Sequence, residues 1–120
     1  MNKPKEKRWE DRYCTDKIYM HWTKHMKYTD GIKEMAEDCE AYWLIDILAS
    51  YQGLIKRNHP RLRDFQLWEL RVKDNTGIIT CCGDSGERAI ITQEIEYTDF
   101  PLDYIKIWVE DDVALFPNEH

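Results

Sequence analysis

The stretch Phe65-Gln66-Leu67-Trp68-Glu69-Leu70-Arg71-Val72-Lys73 decides the fold, because the spacing of apolar residues changes here from helical to alternating. Alternation places Trp68, Leu70 and Val72 on one face, which is the pattern of a half-buried β-strand. Residues 74–77, with the sequence DNTG, supply turn chemistry, and residues 78–82 are predicted to form a second strand. The second half of the chain is therefore predicted to open with a β-hairpin.

Further strands are predicted downstream of this hairpin. Residues 88–97 alternate apolar and polar side chains, and residues 105–109 do the same. A charged turn at 110–112 then leads into a short apolar run at 113–116. Together these segments predict an antiparallel meander of about four to five strands.

Helical spacing dominates upstream of the strands. Residues 30–39 place apolar side chains three and four positions apart, and a side-chain oxygen of Thr29 or Asp30 can cap the first turn. Residues 41–57 carry one broad apolar stripe, which predicts a second, long helix that ends before Pro60.

The order of these segments predicts the architecture. Helices followed by a meander indicate an α+β fold with N-terminal helices packed on one face of the sheet. A chain of 120 residues is long enough for one core. We therefore expect residues 18–120 to form a single domain and residues 1–17 to form a flexible basic arm. Within the domain, the aromatic-rich residues 18–28 fit either a short helix or an irregular connection.

Charge is distributed unevenly along the chain. Residues 1–29 hold eight basic and four acidic side chains, whereas residues 65–120 hold four basic and twelve acidic ones. A net charge of −6 with an acidic sheet half repels phosphate backbones, so a nucleic-acid partner is disfavoured. The apolar runs are shorter than the roughly 18–20 residues of a membrane span, so no membrane partner is expected.

The cellular location of the protein can be inferred from its cysteines and from its first residues. No apolar stretch follows the first basic residues, so a secretory signal is not predicted. Four cysteines are present, at positions 14, 39, 81 and 82. Adjacent cysteines in a strand point to opposite faces, and we expect all four thiols to be reduced. This pattern favours a cytoplasmic protein.

A metal site is an open alternative. His21 and His25 are four residues apart, so a helix would direct both imidazoles to one side, and Cys14 or Cys39 could complete a tetrahedral site. The spacing is not diagnostic, because the chain has no Cys-x-x-Cys pair. Ordinary histidines in a half-buried aromatic cluster are the favoured interpretation, and we assign no metal, cofactor or catalytic residue.

Asp46 is the most informative polar position. It lies among apolar residues and must therefore face solvent or be paired. This helix face could line a groove that holds a small polar ligand or a peptide, although an exposed polar stripe or a structural hydrogen bond is the simpler interpretation. The candidate binding surface comprises Tyr28, Asp30, Trp43, Asp46, Ser50, Gln52 and Trp108.

Several motifs give the chain a family resemblance. The motifs are YTDG at 28–31, YWLID at 42–46, ASYQ at 49–52, FQLW at 65–68 and YTDFPL at 97–102, and the chain ends in FPNEH. In this order and spacing they resemble a family of small bacterial and phage-borne proteins of unknown function. The resemblance covers roughly residues 19–120 and implies a shared fold, but it implies no catalytic residue.

These observations favour a binding protein over an enzyme. Five tryptophans and seven tyrosines exceed what one small core must bury, and exposed aromatics commonly mark interfaces. We predict a non-enzymatic accessory protein that binds another protein, with a host or defence component as the partner that phage-borne relatives would imply. The alternatives are a ligand-binding domain or small enzyme with a polar pocket near Asp30 and Asp46, and a homo-oligomer formed through the sheet edge.

Overall fold

A computed structural model describes residues 17–84 and 86–119. Within them, seven strands form one sheet, in the order β1-β2-β7-β6-β3-β4-β5. The strands are β1 Ile18–Met20, β2 Lys27–Thr29, β3 Phe65–Lys73, β4 Thr76–Cys82, β5 Ile91–Ile95, β6 Tyr104–Glu110 and β7 Val113–Leu115. The helices are α1 Asp30–Asp38, α2 Tyr42–Ser50 and α3 Gln52–Asn58, and short 3₁₀ turns occupy Pro60–Leu62 and Pro117–Glu119.

The α+β class is confirmed, but the predicted sheet is too small and its strands are not all antiparallel. Strands β1 and β2 come mostly from the ambiguous residues 18–28, which form a hairpin rather than a short helix or an irregular connection. β2 pairs in parallel with β7, through Lys27 opposite Val113 and Tyr28 opposite Ala114. The helices consequently lie between β2 and β3 in the chain, not N-terminal to the sheet. Strands of three residues are too short to show a period of two in the sequence, so only their pairing with neighbouring strands identifies them.

Helix α1 begins as predicted, whereas the long second helix is divided. The hydroxyl of Thr29 accepts a hydrogen bond from the Ile32 N–H at 3.4 Å, which caps α1. The hydroxyl of Ser50 donates to the Ile47 carbonyl, and the side-chain amide of Gln52 donates to the carbonyl of residue 48. In a continuous helix these two carbonyls would accept hydrogen bonds from the N–H groups of residues 51 and 52. Helix α2 ends here because the side chains of Ser50 and Gln52 compete for the same carbonyls.

The core lies between the helices and one face of the sheet. Alternate residues of the central strands face the helices, and burial of each large apolar side chain contributes roughly 1.5–3 kcal/mol. The largest fully buried side chains are Trp68, Phe116, Met26, Ile32, Met35, Leu44, Ile45, Leu48, Ile55, Leu62 and Leu70. The opposite face of the sheet carries Phe65, Leu67 and Trp108.

Glu119 connects the end of the described chain to helix α1. The residue is 8% exposed, and its carboxylate accepts hydrogen bonds from the Thr29 hydroxyl at 2.7 Å and from the Phe116 N–H at 2.9 Å. The Gly31 N–H donates to the second carboxylate oxygen at 3.2 Å. A negative charge is favourable here because the first N–H groups of α1 lack helical acceptors.

Three of the cysteines lie in the described part of the chain. Cys39, Cys81 and Cys82 are free and buried. Cys14 and nearly all of the predicted basic arm fall in residues 1–16, outside the described ranges. Among the residues that the structure describes, no helix has the length and apolar character needed to cross a lipid bilayer.

Candidate functional site

Asp46 joins helix α2 to the loop between β1 and β2. One carboxylate oxygen lies 2.6 Å from His21 Nε2 and accepts a second hydrogen bond from the Trp22 indole N–H at 3.2 Å. The Asp46 side chain is 50% exposed, whereas that of His21 is 4% exposed. Asp46 is therefore both paired and open to solvent, which combines the two outcomes expected from the sequence.

The hydrogen bonds around His21 identify its tautomer. The Thr23 N–H points at His21 Nδ1 over 3.2 Å, and the Thr23 hydroxyl lies 2.8 Å from the same nitrogen. A backbone N–H can only donate, so Nδ1 is an acceptor and the ring proton is on Nε2, directed at Asp46. Both ring nitrogens are used within the protein, and His21 therefore positions the loop.

Trp22 lies beside this pair with its ring in solvent. The side chain is 77% exposed, yet its N–H is held by Asp46 and its ring lies 5.4 Å from that of His21. Tyr42 lies one helical turn before Asp46 on α2 and is 41% exposed. The Tyr42 hydroxyl donates to Glu37 at 3.3 Å, so both exposed rings are anchored at their polar ends.

A second aromatic pair continues this face toward the sheet edge. The rings of Tyr19 and Tyr28 stack with centroids 5.7 Å apart, and the Lys33 ammonium lies 5.4 Å from the Tyr19 centroid. A hydrogen bond to Asp30 raises the pKa of Tyr19, and Lys33 pairs with Glu37 at 2.9 Å. Partial burial, followed by the charge of Glu37, raises the pKa of Tyr42. We call the following set the Trp22 surface: Tyr19, Trp22, Asp30, Lys33, Glu37, Tyr42 and Asp46.

The structure brings together some of the residues predicted from sequence. Asp30 and Asp46 belong to the Trp22 surface, and Tyr28 borders it through its stack on Tyr19. Trp43 points elsewhere and meets the Phe100 ring edge-on at 6.4 Å.

Two more predicted residues lie away from this surface. Ser50 is exposed, but its hydroxyl donates to the Ile47 carbonyl at 2.7 Å. Trp108 is half-buried on the other face of the sheet, where its ring packs edge-on against Phe65 at 5.3 Å. The predicted set therefore does not form one groove.

Gln52 is structural, because it is fully buried in an amide network. Its side chain and that of Gln66 exchange two hydrogen bonds of 2.9 Å. The Trp68 indole N–H donates to the same Gln66 oxygen at 2.8 Å, and each amide also donates to a backbone carbonyl at 3.0 Å, of Leu48 for Gln52 and of Leu62 for Gln66. This network ties α2, α3 and β3 together and leaves Gln52 no access to a ligand.

Sequence reasoning missed five of the seven residues of this surface, which are Tyr19, Trp22, Lys33, Glu37 and Tyr42. For Tyr19 and Trp22 the signal was present in the aromatic run at 18–28, but that segment could be placed on a helix or a connection. A helix would have grouped His21 with His25, whereas the hairpin buries His21 and exposes His25. Facing side chains across a hairpin cannot be assigned until its register is known.

The metal-ligating side chains of the described residues are dispersed, and the cysteines among them are buried. Residues 17–84 and 86–119 contain no group of three or more His, Cys, Asp or Glu side chains placed to hold a metal ion. Burial raises the pKa of Cys39 to about 12 and also raises the pKa of Cys81, so both thiols are protonated and unreactive at neutral pH.

Two cavities formed by described residues lie away from the Trp22 surface. An open depression of about 520 Å³ is lined by Lys56, Arg63, Asp64, Asp111 and Asp112. There Lys56 already pairs with Asp112 at 3.2 Å. A narrow apolar gap, too small to hold a water molecule, lies in the core beside Trp68. Neither of these two cavities includes Asp30 or Asp46.

Comparison with known proteins gives a family. The sequence matches the family of unknown function DUF6876 over residues 3–120. No curated protein and no solved structure matches the chain. The match spans nearly the whole chain, and the protein therefore belongs to the DUF6876 family, whose function is unknown.

Proposed function

We propose that this chain is a non-enzymatic protein-binding module and that its partner docks on the Trp22 surface. The observation that carries the proposal is the Trp22 ring, which is 77% exposed although its N–H is fixed by Asp46. An exposed tryptophan leaves apolar area in water, and fixing its orientation in advance reduces the entropy lost on binding.

The neighbours of Trp22 supply the rest of an interface. Tyr42 adds a second exposed ring whose hydroxyl is already bonded, and tryptophan and tyrosine dominate the energetics of many protein interfaces. The side chains of Asp46 and Glu37 are each about half exposed, and Lys33 is 33% exposed. A partner that covers Trp22 with an apolar side chain and offers donors to Asp46 would complement this arrangement.

The resemblance to bacterial and phage-borne proteins directs the choice of partner. A host or defence component is the first class of protein that we propose to test. We also propose a cytoplasmic location, which is supported by the free thiols of Cys39, Cys81 and Cys82, because a reducing compartment maintains free cysteines.

Site-specific photocrosslinking in native host cells tests the proposal. A photoreactive residue at position 22 should capture a defined host protein, and the same residue at position 97 should not capture that protein. Tyr97 is the matched control because it is 72% exposed and follows β5, at the opposite edge of the sheet from β1. Trp22→Ala should weaken binding of the captured protein, whereas Tyr97→Ala should leave it unchanged. Equal capture at both positions, or equal binding by both variants, would contradict the proposal.

A ligand-binding site or small enzyme at Asp46 is the second candidate, and the 2.6 Å contact between His21 and Asp46 favours it. Under this alternative, Asp46→Asn would abolish binding of a small molecule while Trp22→Ala would preserve it. Thermal-shift screening of wild type and both variants against metabolite mixtures distinguishes the two candidates. The engagement of both His21 nitrogens, by Thr23 and by Asp46, supports the protein-binding proposal instead.

A further inference from the structure

Strand β5 forms one edge of the sheet, and the β3–β4 turn determines which of its backbone groups point outward. Asp74 and Asn75 both have positive φ, 53° and 63°, and form a two-residue turn between the paired residues 73 and 76. Residues that flank such a turn form a hydrogen-bonded pair. Even-numbered residues of β4 therefore bond to β3, and Gly77, Ile79 and Cys81 bond to β5.

This alternation continues into β5. Ile91, Gln93 and Ile95 lie opposite Cys81, Ile79 and Gly77 and direct their backbone groups at β4. The N–H and C=O groups of Thr92 and Glu94 therefore point away from the sheet. No other hydrogen bond within residues 17–84 and 86–119 uses these four outward groups.

The positions of the outward groups allow β5 to pair with β5 of a second copy of the chain. An antiparallel partner must place its own outward residues opposite Thr92 and Glu94, which aligns Thr92 with Glu94 of the second copy and Glu94 with its Thr92. Two copies of the strand then exchange four backbone hydrogen bonds around a two-fold axis at Gln93. We propose that the protein forms a dimer in which two β5 strands join their sheets in this register.

The side chains agree with the same register. Ile91 faces Ile95 of the second copy on the helix side, where both are at least half-buried. Thr92 faces Glu94 on the open side, and the two glutamates lie diagonally rather than opposite each other. The strand sequence Ile-Thr-Gln-Glu-Ile thus pairs apolar with apolar and charged with neutral residues.

The opposite edge is less suited to pairing, because β1 has three residues against five in β5. Joining two β5 edges leaves both Trp22 surfaces at the far ends of the combined sheet. Such a dimer would be bivalent for a partner that presents two sites. This inference does not depend on the proposed function of the Trp22 surface.

Thr92→Pro is the discriminating variant. Proline removes an N–H that points away from β4, so the sheet ladder within one copy stays intact. Thr92→Val is the matched control, since it keeps the N–H. Sedimentation velocity at increasing chain concentration should show wild type and Thr92→Val shifting from monomer to dimer, with Thr92→Pro weakened roughly tenfold or more because two symmetric hydrogen bonds are lost.

Ionic strength and cross-linking give independent readouts. Each copy carries a net charge of −6, so added salt should strengthen the dimer by screening repulsion. A Gln93→Cys variant should form a disulfide-linked dimer on mild oxidation, because residues on the axis lie about 4.5 Å apart between Cα atoms. Glu94→Cys should cross-link far more slowly. A monomer at all concentrations, a dimer unaffected by Thr92→Pro, or equal cross-linking of the two cysteine variants would overturn the proposal.

Discussion

Replacing Gly31 by alanine should destabilise the protein, although this change usually stabilises a helix. A Cβ atom at Gly31 would lie 2.7 Å from Oε2 and 2.9 Å from Cδ of Glu119. Real Cβ contacts are longer than this, so the carboxylate would have to move. It is buried and accepts hydrogen bonds from Thr29, Gly31 and Phe116, and these bonds would be strained or lost.

The expected loss of stability in Gly31→Ala is the difference between a favourable helix contribution and an unfavourable loss of hydrogen bonds. Alanine is favoured over glycine within helices by about 1 kcal/mol. Leaving the Gly31 and Phe116 N–H groups without an acceptor costs about 1–3 kcal/mol each. We therefore expect Gly31→Ala to lower the free energy of unfolding by about 1–5 kcal/mol, which is a large share of the stability of a small domain.

Gly53 in α3 provides a matched control. The nearest atom to a Cβ at Gly53 is Arg57 Nη1 at 3.5 Å, an ordinary contact with a flexible side chain. Gly53→Ala should therefore stabilise the protein by about 0.5–1 kcal/mol. Urea unfolding followed by tryptophan fluorescence measures both variants, and they should differ from wild type with opposite signs.

A thermodynamic cycle tests the cause of the Gly31 effect. In a Glu119→Ala background the obstructing carboxylate is absent, so Gly31→Ala should no longer destabilise. Two results would refute the reasoning. One is stabilisation of the wild-type chain by Gly31→Ala, and the other is an equal loss in both backgrounds.

Three further predictions concern buried or paired groups. Gln66→Leu should lower the free energy of unfolding by about 3 kcal/mol because it leaves the buried hydrogen-bond partners of Gln66 unpaired. Adding Gln52→Leu should restore part of the loss in the same urea assay. Since burial raises the pKa of Cys39 from 9.0 to about 12, the unfolded chain loses this proton first and stability falls as pH rises from 9. The stability difference between wild type and Cys39→Ala should narrow between pH 9 and 12, and a constant difference would contradict this assignment. Asp46→Ala should cost about 1–2 kcal/mol and shift the fluorine NMR signal of fluorotryptophan at Trp22, and an unshifted signal would show that Asp46 does not fix the ring.

The amino-acid pattern alone determined most of the regular structure. Alternation from Phe65 onward located β3 and β4, because a sheet with one face on the core requires a period of two. Thr29 was correctly included as a helix cap, since its hydroxyl satisfies an N–H within its own turn. Asp46 was recognised as paired or exposed because a carboxylate among apolar residues has few other options.

Tertiary contacts decided the rest. β1 and β2 form because β2 pairs with β7, which lies near the far end of the chain. A strand of three residues shows too little periodicity for this pairing to be predicted from sequence. Gln52 looked available for a ligand until its partner Gln66 on β3 was known. Trp22 became the centre of the candidate surface only because the β1–β2 hairpin brings it to Asp46 on α2. Local sequence sets periodicity and caps, whereas the identity of distant hydrogen-bond partners depends on how the packed elements meet.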